Sequence, residues 1–508
     1  MISFSRRGVL SGGLATLAAA MFAPASGARV QGQAQRFSHD EVITQARALS
    51  QSAFMPRQTL PEGLTALDYD TYRAIRFQAS RAAWANTATP FSVHMFAPGS
   101  VYREPVDVLL VESGVARPVV LAADAFETPT PQIAELIAQV GRYAGFRLHH
   151  PINQAGEAEE FVVFQGASYF RAVSGGQVYG LSARGLSIDT GEPGGEEFPT
   201  FRRFWIERPS PDMDAIVVHA LLDSQRVTGA YRFAIWPGSP TAMDVQVTLF
   251  ARARLSHVGL GCLTSMYMHG AMDAPDAPDY RPAVHDSLGL AMHTGGGERL
   301  WRPLFNPRAL QLSAFMDRNP RGFGLGQRNR RFSNFEDLEA RYDRRPSAWV
   351  SPQGDWGEGQ VQLVEIPSEF EGNDNIVAYW RPAGGLEAGQ EHSFAYRLTW
   401  PDDVVPGDGL GAVTRSAFGR RLADGRPQIV IDWSNPRGVK VDDISLDISL
   451  SGDARHETNV VLNSGSGGYR VYLTLVSVNA PSTEVRVRPH VRGTAIGETW
   501  LYRYIQRG

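Results

Sequence analysis

Short runs of apolar or alternating residues recur along most of the chain, each closed by turn residues. Phe161 to Phe164, Ala215 to Leu222, Tyr231 to Trp236 and Asp244 to Ala253 are rich in β-branched and aromatic side chains. Ser174-Gly175-Gly176 and Pro237-Gly238 separate such runs. Strands at this spacing, with no long helices between them, predict a sandwich or barrel and argue against a parallel sheet wound with helices. A helical period appears only twice. Ser38 and Glu41 form a capping-box pattern ahead of Val42, Ile43, Ala46 and Leu49. Thr130-Pro131 precedes Ile133, Leu136, Ile137 and Val140 along one helical face.

From about Thr264 to Pro382 the alternation weakens, and Arg, Trp, Asn-Pro and Gly become dense. Long irregular loops on a β scaffold are expected there, and loops are where binding groups gather. Pro382 to Gln390, with Gly384, Gly385 and Gly389, reads as a hinge. Beyond it, Gln428 to Trp433, Ile444 to Leu450, Tyr469 to Val478, Glu484 to Arg488 and Thr499 to Ile505 suit a smaller antiparallel sandwich of immunoglobulin-like size. The expected division is 37–385 and 391–508.

The 508 residues exceed one ordinary core, in keeping with two domains. Hydrophobic content of 43% and charged content of 20% are those of a soluble globular protein. A net charge of −4 provides no basic footprint for nucleic acid. At the N-terminus, Arg6-Arg7 precedes an apolar run to about Ala25 and then small residues. That is the pattern of a twin-arginine export signal over 1–28, removed on the way to the periplasm. No later stretch approaches the length of a membrane span. Cys262 is the only cysteine, so no internal disulfide can form, and a buried, inert thiol is expected.

Familiar catalytic signatures are missing: no Walker loop, no H-E-x-x-H, no G-x-S-x-G. Gly322 to Gly326 lacks the Lys and helix of a phosphate loop. His257, His269, His285 and His293 share one stretch without the spacing of a metal site, so neither a metal nor a cofactor is expected. Carboxylates remain. Asp286 lies in a polar stretch beside His285, Asp374 lies between two asparagines, and Asp355 and Glu358 flank Trp356. Paired carboxyl groups beside aromatic rings are what glycosidic cleavage uses, one protonating the leaving oxygen while the other activates water or attacks. Composition alone favours reading any single one of these aspartates as a turn residue.

Several blocks, taken in order, carry a resemblance. They include Arg202-Arg203-Phe204-Trp205-Ile206-Glu207-Arg208-Pro209, Arg281-Pro282-Ala283-Val284-His285-Asp286-Ser287 and Asn319-Pro320-Arg321-Gly322-Phe323-Gly324-Leu325. Arg344-Arg345-Pro346-Ser347, Gly354-Asp355-Trp356-Gly357, Val364-Glu365-Ile366-Pro367 and Asn373-Asp374-Asn375-Ile376-Val377-Ala378-Tyr379-Trp380 follow. The sequence resembles the glucan biosynthesis protein G/D family over essentially its whole mature length, and the twin-arginine motif favours the D-type branch.

The resemblance implies an all-β chain, with a large galactose-mutarotase-like sandwich followed by a small immunoglobulin-like one. It implies action on the β-1,2-linked glucose backbone of osmoregulated periplasmic glucans by an anomer-inverting hydrolase or a related transglycosylase. Matched residue by residue, Asp374 is the general acid. Asp286 is the general base, reaching its water through a relay of water and a substrate hydroxyl. Trp356, Trp380, His285 and Arg345 are the expected sugar-binding residues. Where many relatives carry a second acid, this chain has Leu288, which points toward slower hydrolysis or toward transfer. The alternative is a non-catalytic glucan-binding or assembly protein docked on the membrane glucan synthase. A homodimer is compatible with either.

Overall fold

The computed structural model describes residues 35–506 apart from 58, 86, 123, 274–277 and 408, so the twin-arginine motif and its cleavage sites lie outside the described residues. The fold is an all-β sandwich. A 16-stranded sheet and a 10-stranded sheet face each other across one continuous core. The expected strands are present with ends shifted by a few residues: Glu159–Gln165, Ile216–Asp223, Val227–Trp236 and Thr241–Ala251.

Both expected helices form. His39–Ser50 buries Val42 and Ala46 against the outer face of the large sheet. Ser38 takes its N-cap position without a side-chain cap bond, so the capping box read from Ser38 and Glu41 is not made. Pro131–Val140 is capped as expected, with Thr130 Oγ1 accepting from Ile133 N–H at 3.4 Å. Gly141 closes it with φ of 62°, a left-handed turn that glycine adopts without strain.

Two expectations need correction. The stretch 382–390 is a connection inside the sandwich, not a hinge between domains. Its Leu386 is buried and bridges Leu255. The strand after it, Glu391–Trp400, lies between Thr241–Ala251 and Ala348–Gln353 in the large sheet. A boundary at 385–391 would cut out an interior strand, so the C-terminal region begins beyond Trp400. That region has a four-stranded sheet, Val413–Arg420, Pro427–Trp433, Gly468–Ser477 and Arg455–Asn463. Its other strands join the large sheet through parallel pairing of Leu300 and Trp301 with Thr499 and Trp500. In Thr499–Ile505 the side chains of Trp500, Tyr502 and Tyr504 turn inward, as their alternation predicts.

The second correction concerns residues 264–382, where strands alternate with the expected loops. Gly289–His293, Arg299–Pro303, Gln311–Arg318, Gly322–Gly326, Ala348–Gln353, Glu358–Glu365 and Ile376–Pro382 all belong to the two sheets. Cys262 is fully buried in the strand Val258–Ser265, and burial pushes its thiol up to about 12. Among the described residues no helix is long and apolar enough to cross a membrane.

Candidate functional site

One dipeptide holds both sequence-selected acids in place. Met266 and Tyr267 follow the strand Val258–Ser265 of the ten-stranded sheet. The Met266 carbonyl accepts the Asp286 N–H at 2.9 Å. Tyr267 donates its N–H to Asn375 Oδ1 at 2.8 Å, and its carbonyl accepts from Asn375 Nδ2 at 2.9 Å. Asn375 Nδ2 also reaches the Ile366 carbonyl at 3.2 Å. The buried Asn375 amide therefore acts as a strand partner for Tyr267, and it fixes the residue next to it, Asp374. Asn375→Ala would leave the Tyr267 N–H and C=O unpaired in the interior. A stability loss of about 2–4 kcal/mol is expected in urea denaturation.

Asp286 is only 4% exposed. Arg345 Nη1 donates to its Oδ1 at 2.6 Å. Burial pushes the Asp286 carboxyl up to about 6; Arg345 and Arg171 pull it down, while Asp374 adds to the rise. The two carboxyl groups thus share one electrostatic neighbourhood, although Asp374 is half-buried and more open to solvent. Tyr169, on the strand Tyr169–Ala172, also senses Asp374. Its hydroxyl is pushed up to about 12 by burial, with Arg184 opposing and Asp374 adding. Arg171 is two residues along the same strand, hence on the same face. It donates to Ser182 Oγ at 2.6 Å.

Arg281 ties together the loops around the acids. Its Nη1 is 2.9 Å from both Asp337 Oδ2 and Glu371 Oε2, and its Nη2 is 2.8 Å from Asp279 Oδ2. The hydrogen bonds from Arg281 hold Asp279 well below the usual carboxylate range. Beneath the hub, Tyr342 and Phe335 pack on Val284 and Met266. Arg345 crosses the Tyr342 ring at 4.7 Å. Tyr280, Leu338 and Phe370, each next to a residue of the Arg281 hub, are well exposed. The sequence reading passed over all three. No local pattern marks them, because only the ion pairs bring their three loops together.

Three expected sugar contacts are placed elsewhere. Trp380 is fully buried in the strand Ile376–Pro382, and a Cβ on Gly359 would come within 2.6 Å of its ring. Trp356 is 5% exposed, donates its Nε1–H to the Ala395 carbonyl at 3.2 Å, and lies 6.4 Å from Trp380. Rings covered on all sides have no face for a sugar, so both are core residues. His285 is 1% exposed and lies parallel to Tyr267 at 5.3 Å, with Phe335 edge-on at 5.1 Å. Burial drops its pKa to about 3, so it packs as a neutral ring. It leaves no ring face open to a sugar. Of the four, Arg345 is the one whose side chain bonds a predicted acid, Asp286. Asp355 binds the Gly357 N–H at 2.8 Å in an exposed turn. Leu288 packs against the main core, away from a role in proton transfer. Among the described residues no cluster of His, Cys, Asp or Glu could hold a metal ion.

Comparison with known proteins follows the same lines. The model of the family described as "Periplasmic glucan biosynthesis protein, MdoG" matches residues 37–504. Glucans biosynthesis protein G 2 of Shewanella oneidensis is 49% identical, covering 95% of this chain and 91% of its own. Glucans biosynthesis protein G of Rhodopseudomonas palustris is 44% identical, with coverage of 98% and 99%. The Bradyrhizobium diazoefficiens protein of the same name is 43% identical, also with coverage of 98% and 99%. These relatives carry the G designation, against the D-type branch that the twin-arginine motif favours. A solved chondroitinase AC lyase gives a TM-score of 0.14 at 8% identity over 82% of this chain and 51% of that one, too weak to carry an argument. The chain belongs to the MdoG family of periplasmic glucan biosynthesis proteins.

Proposed function

We propose that this protein works in periplasmic glucan biosynthesis by acting on the β-1,2-glucan backbone, as an inverting glucanase or a related transglycosylase. Asp374 serves as general acid and Asp286 as general base. The observation that carries this reading is that the adjacent residues Met266 and Tyr267 bind the Asp286 backbone and the Asn375 side chain, which brings two acids distant in sequence to one end of one strand, with Asp286 buried against Arg345. A glycosidic oxygen leaves readily only when protonated, and water attacks readily only when a proton is taken from it. Asp374, half-buried at the end of a loop, suits the first task. Asp286 suits the second, since a base titrating near 6 is ionised at neutral pH yet still basic. Its 4% exposure leaves little room for direct contact with the attacking water. A relay through a water and a substrate hydroxyl overcomes that limit.

The pH profile tests the division of labour. With Asp286 as base, kcat/KM for linear β-1,2-glucan is expected to rise as pH increases through about 6, because the free protein must lose that proton. A rate that instead falls through this range would exchange the two roles. Tight glucan binding with no product of any size would replace catalysis by an assembly function. Size and anomeric configuration of the products distinguish hydrolysis from transfer.

A further inference from the structure

A cavity of about 320 Å³ lies on the outer face of the large sheet, away from the acids, where the chain crosses into the C-terminal region. Cross-strand pairing places Ala291, Gly324, Trp349 and Thr399 in one row across four neighbouring strands. Their neighbours in sequence, Met292, Phe323, Val350 and Leu398, are buried in the main core, so this row lies on the other face of the sheet, where Ala291 is covered as well. Ala291 and Gly324 contribute almost no side chain, and the row forms a floor with one tall wall, the half-buried Trp349. The indole lies over Gly322, where a Cβ would come within 2.4 Å of the ring. A backbone plate thus holds one side of Trp349 in place.

The opposite wall is the segment 401–407, firmly seated at its start. The Pro401 carbonyl accepts from Ser347 N–H at 2.9 Å. The Val404 carbonyl accepts from Arg328 Nη2 at 2.7 Å, and Val404 fills the space above Gly326. Polar groups surround the aromatic wall: the Thr399 hydroxyl, the Asp403 carboxyl, and the His293 and Arg321 side chains.

We propose that this cavity is a second, non-catalytic glucan site that holds one hexopyranose unit of the polymer, an inference that rests on the glucan reading above. Its volume is at the lower end of small-ligand sites. A β-linked glucose ring has apolar C–H faces and a belt of hydroxyls that both donate and accept. One flat aromatic wall ringed by donors and acceptors of both charges matches that chemistry. Asp403 and Glu498 in the lining face Arg299 and Arg321, a balance of charge that suits a neutral guest, and the polar fringe disfavours a purely apolar one. A chain held here by one unit remains tethered to the protein between events at Asp286 and Asp374. Affinity for long chains then rises through effective concentration, with no gain for short ones.

The test compares full-length parent, Trp349→Ala and Arg321→Ala on long linear β-1,2-glucan and on short oligosaccharides of the same linkage. Trp349→Ala is expected to raise KM for the long polymer roughly tenfold, with kcat and all short-substrate parameters unchanged. Arg321 is exposed on the cavity rim, so its variant keeps the fold and should shift KM the same way by a smaller factor. If Trp349→Ala fails to fold, the Arg321→Ala result decides. Active parent with unchanged KM in the folded variants overturns the second site alone. An equal change on long and short substrates overturns it too, by placing the effect in the catalytic cleft. A parent that neither binds nor turns over the glucan removes both this inference and the function on which it rests.

Discussion

Asp374→Asn is expected to cut turnover of linear β-1,2-glucan by about 10²–10⁴-fold, the usual contribution of a positioned general acid. The substitution keeps the size of the side chain and its place beside Asn375, whose amide clamp on Tyr267 is untouched. What it removes is the proton. Without that proton the departing glucose unit must leave as an alkoxide, and the barrier rises accordingly. A substrate whose leaving group needs no protonation, such as an aryl glycoside of the same linkage, should recover most of the lost rate in this variant. Parent and variant compared on both substrates settle the role. Equal loss on both would mean that Asp374 does something other than donate a proton, and an unimpaired variant would remove it from the mechanism.

The sequence carried the fold class well because strand alternation is a local property. Thr499–Ile505 shows this, with three aromatic side chains inward and their neighbours outward. The strands within residues 264–382 went unread because they hide alternation. In Gly322–Gly326 the glycines lie where Trp349 and the Ala348–Trp349 backbone press against the strand, so the apolar partner sits elsewhere in the chain. The hinge failed for a related reason. Glycines 384, 385 and 389 mark turns, but a turn between strands of facing sheets has the same composition as a turn between domains. At the candidate site, sequence alone offered Asp286 and Asp374 among several carboxylates, and the family resemblance singled out these two. Trp356 and Trp380 were misplaced because a tryptophan beside a carboxylate looks the same in sequence whether its ring faces a groove or the core. Asn375 and Arg281, which set the geometry, act through partners far along the chain. No spacing rule reveals them.

Asp286→Asn should abolish turnover and yet stabilise the fold, a combination that separates a functional acid from a structural one. An unfolded aspartate titrates near 3.9, whereas in the fold burial lifts Asp286 to about 6. Between those values the folded protein still holds a proton that the unfolded chain has released, so stability falls as pH rises through this window. Above about pH 6 the full cost of the buried charge is present. A shift of roughly two pKa units corresponds to about 3 kcal/mol. Asparagine fills the same space without the charge, but it gives up the ionic partner of Arg345. A net gain of about 1–3 kcal/mol at pH 8 is therefore expected, shrinking toward zero below pH 4. Urea denaturation of parent and variant at pH 4, 6 and 8 measures the widening gap. A variant less stable than the parent at pH 8 would show that the Arg345 pair outweighs the desolvation it accompanies. Asp286 would then be a structural anchor, and the base would have to be sought elsewhere. The predicted gain instead means that the fold tolerates an ionised, poorly solvated carboxylate at this position. A chain bears that strain where its chemistry requires a base.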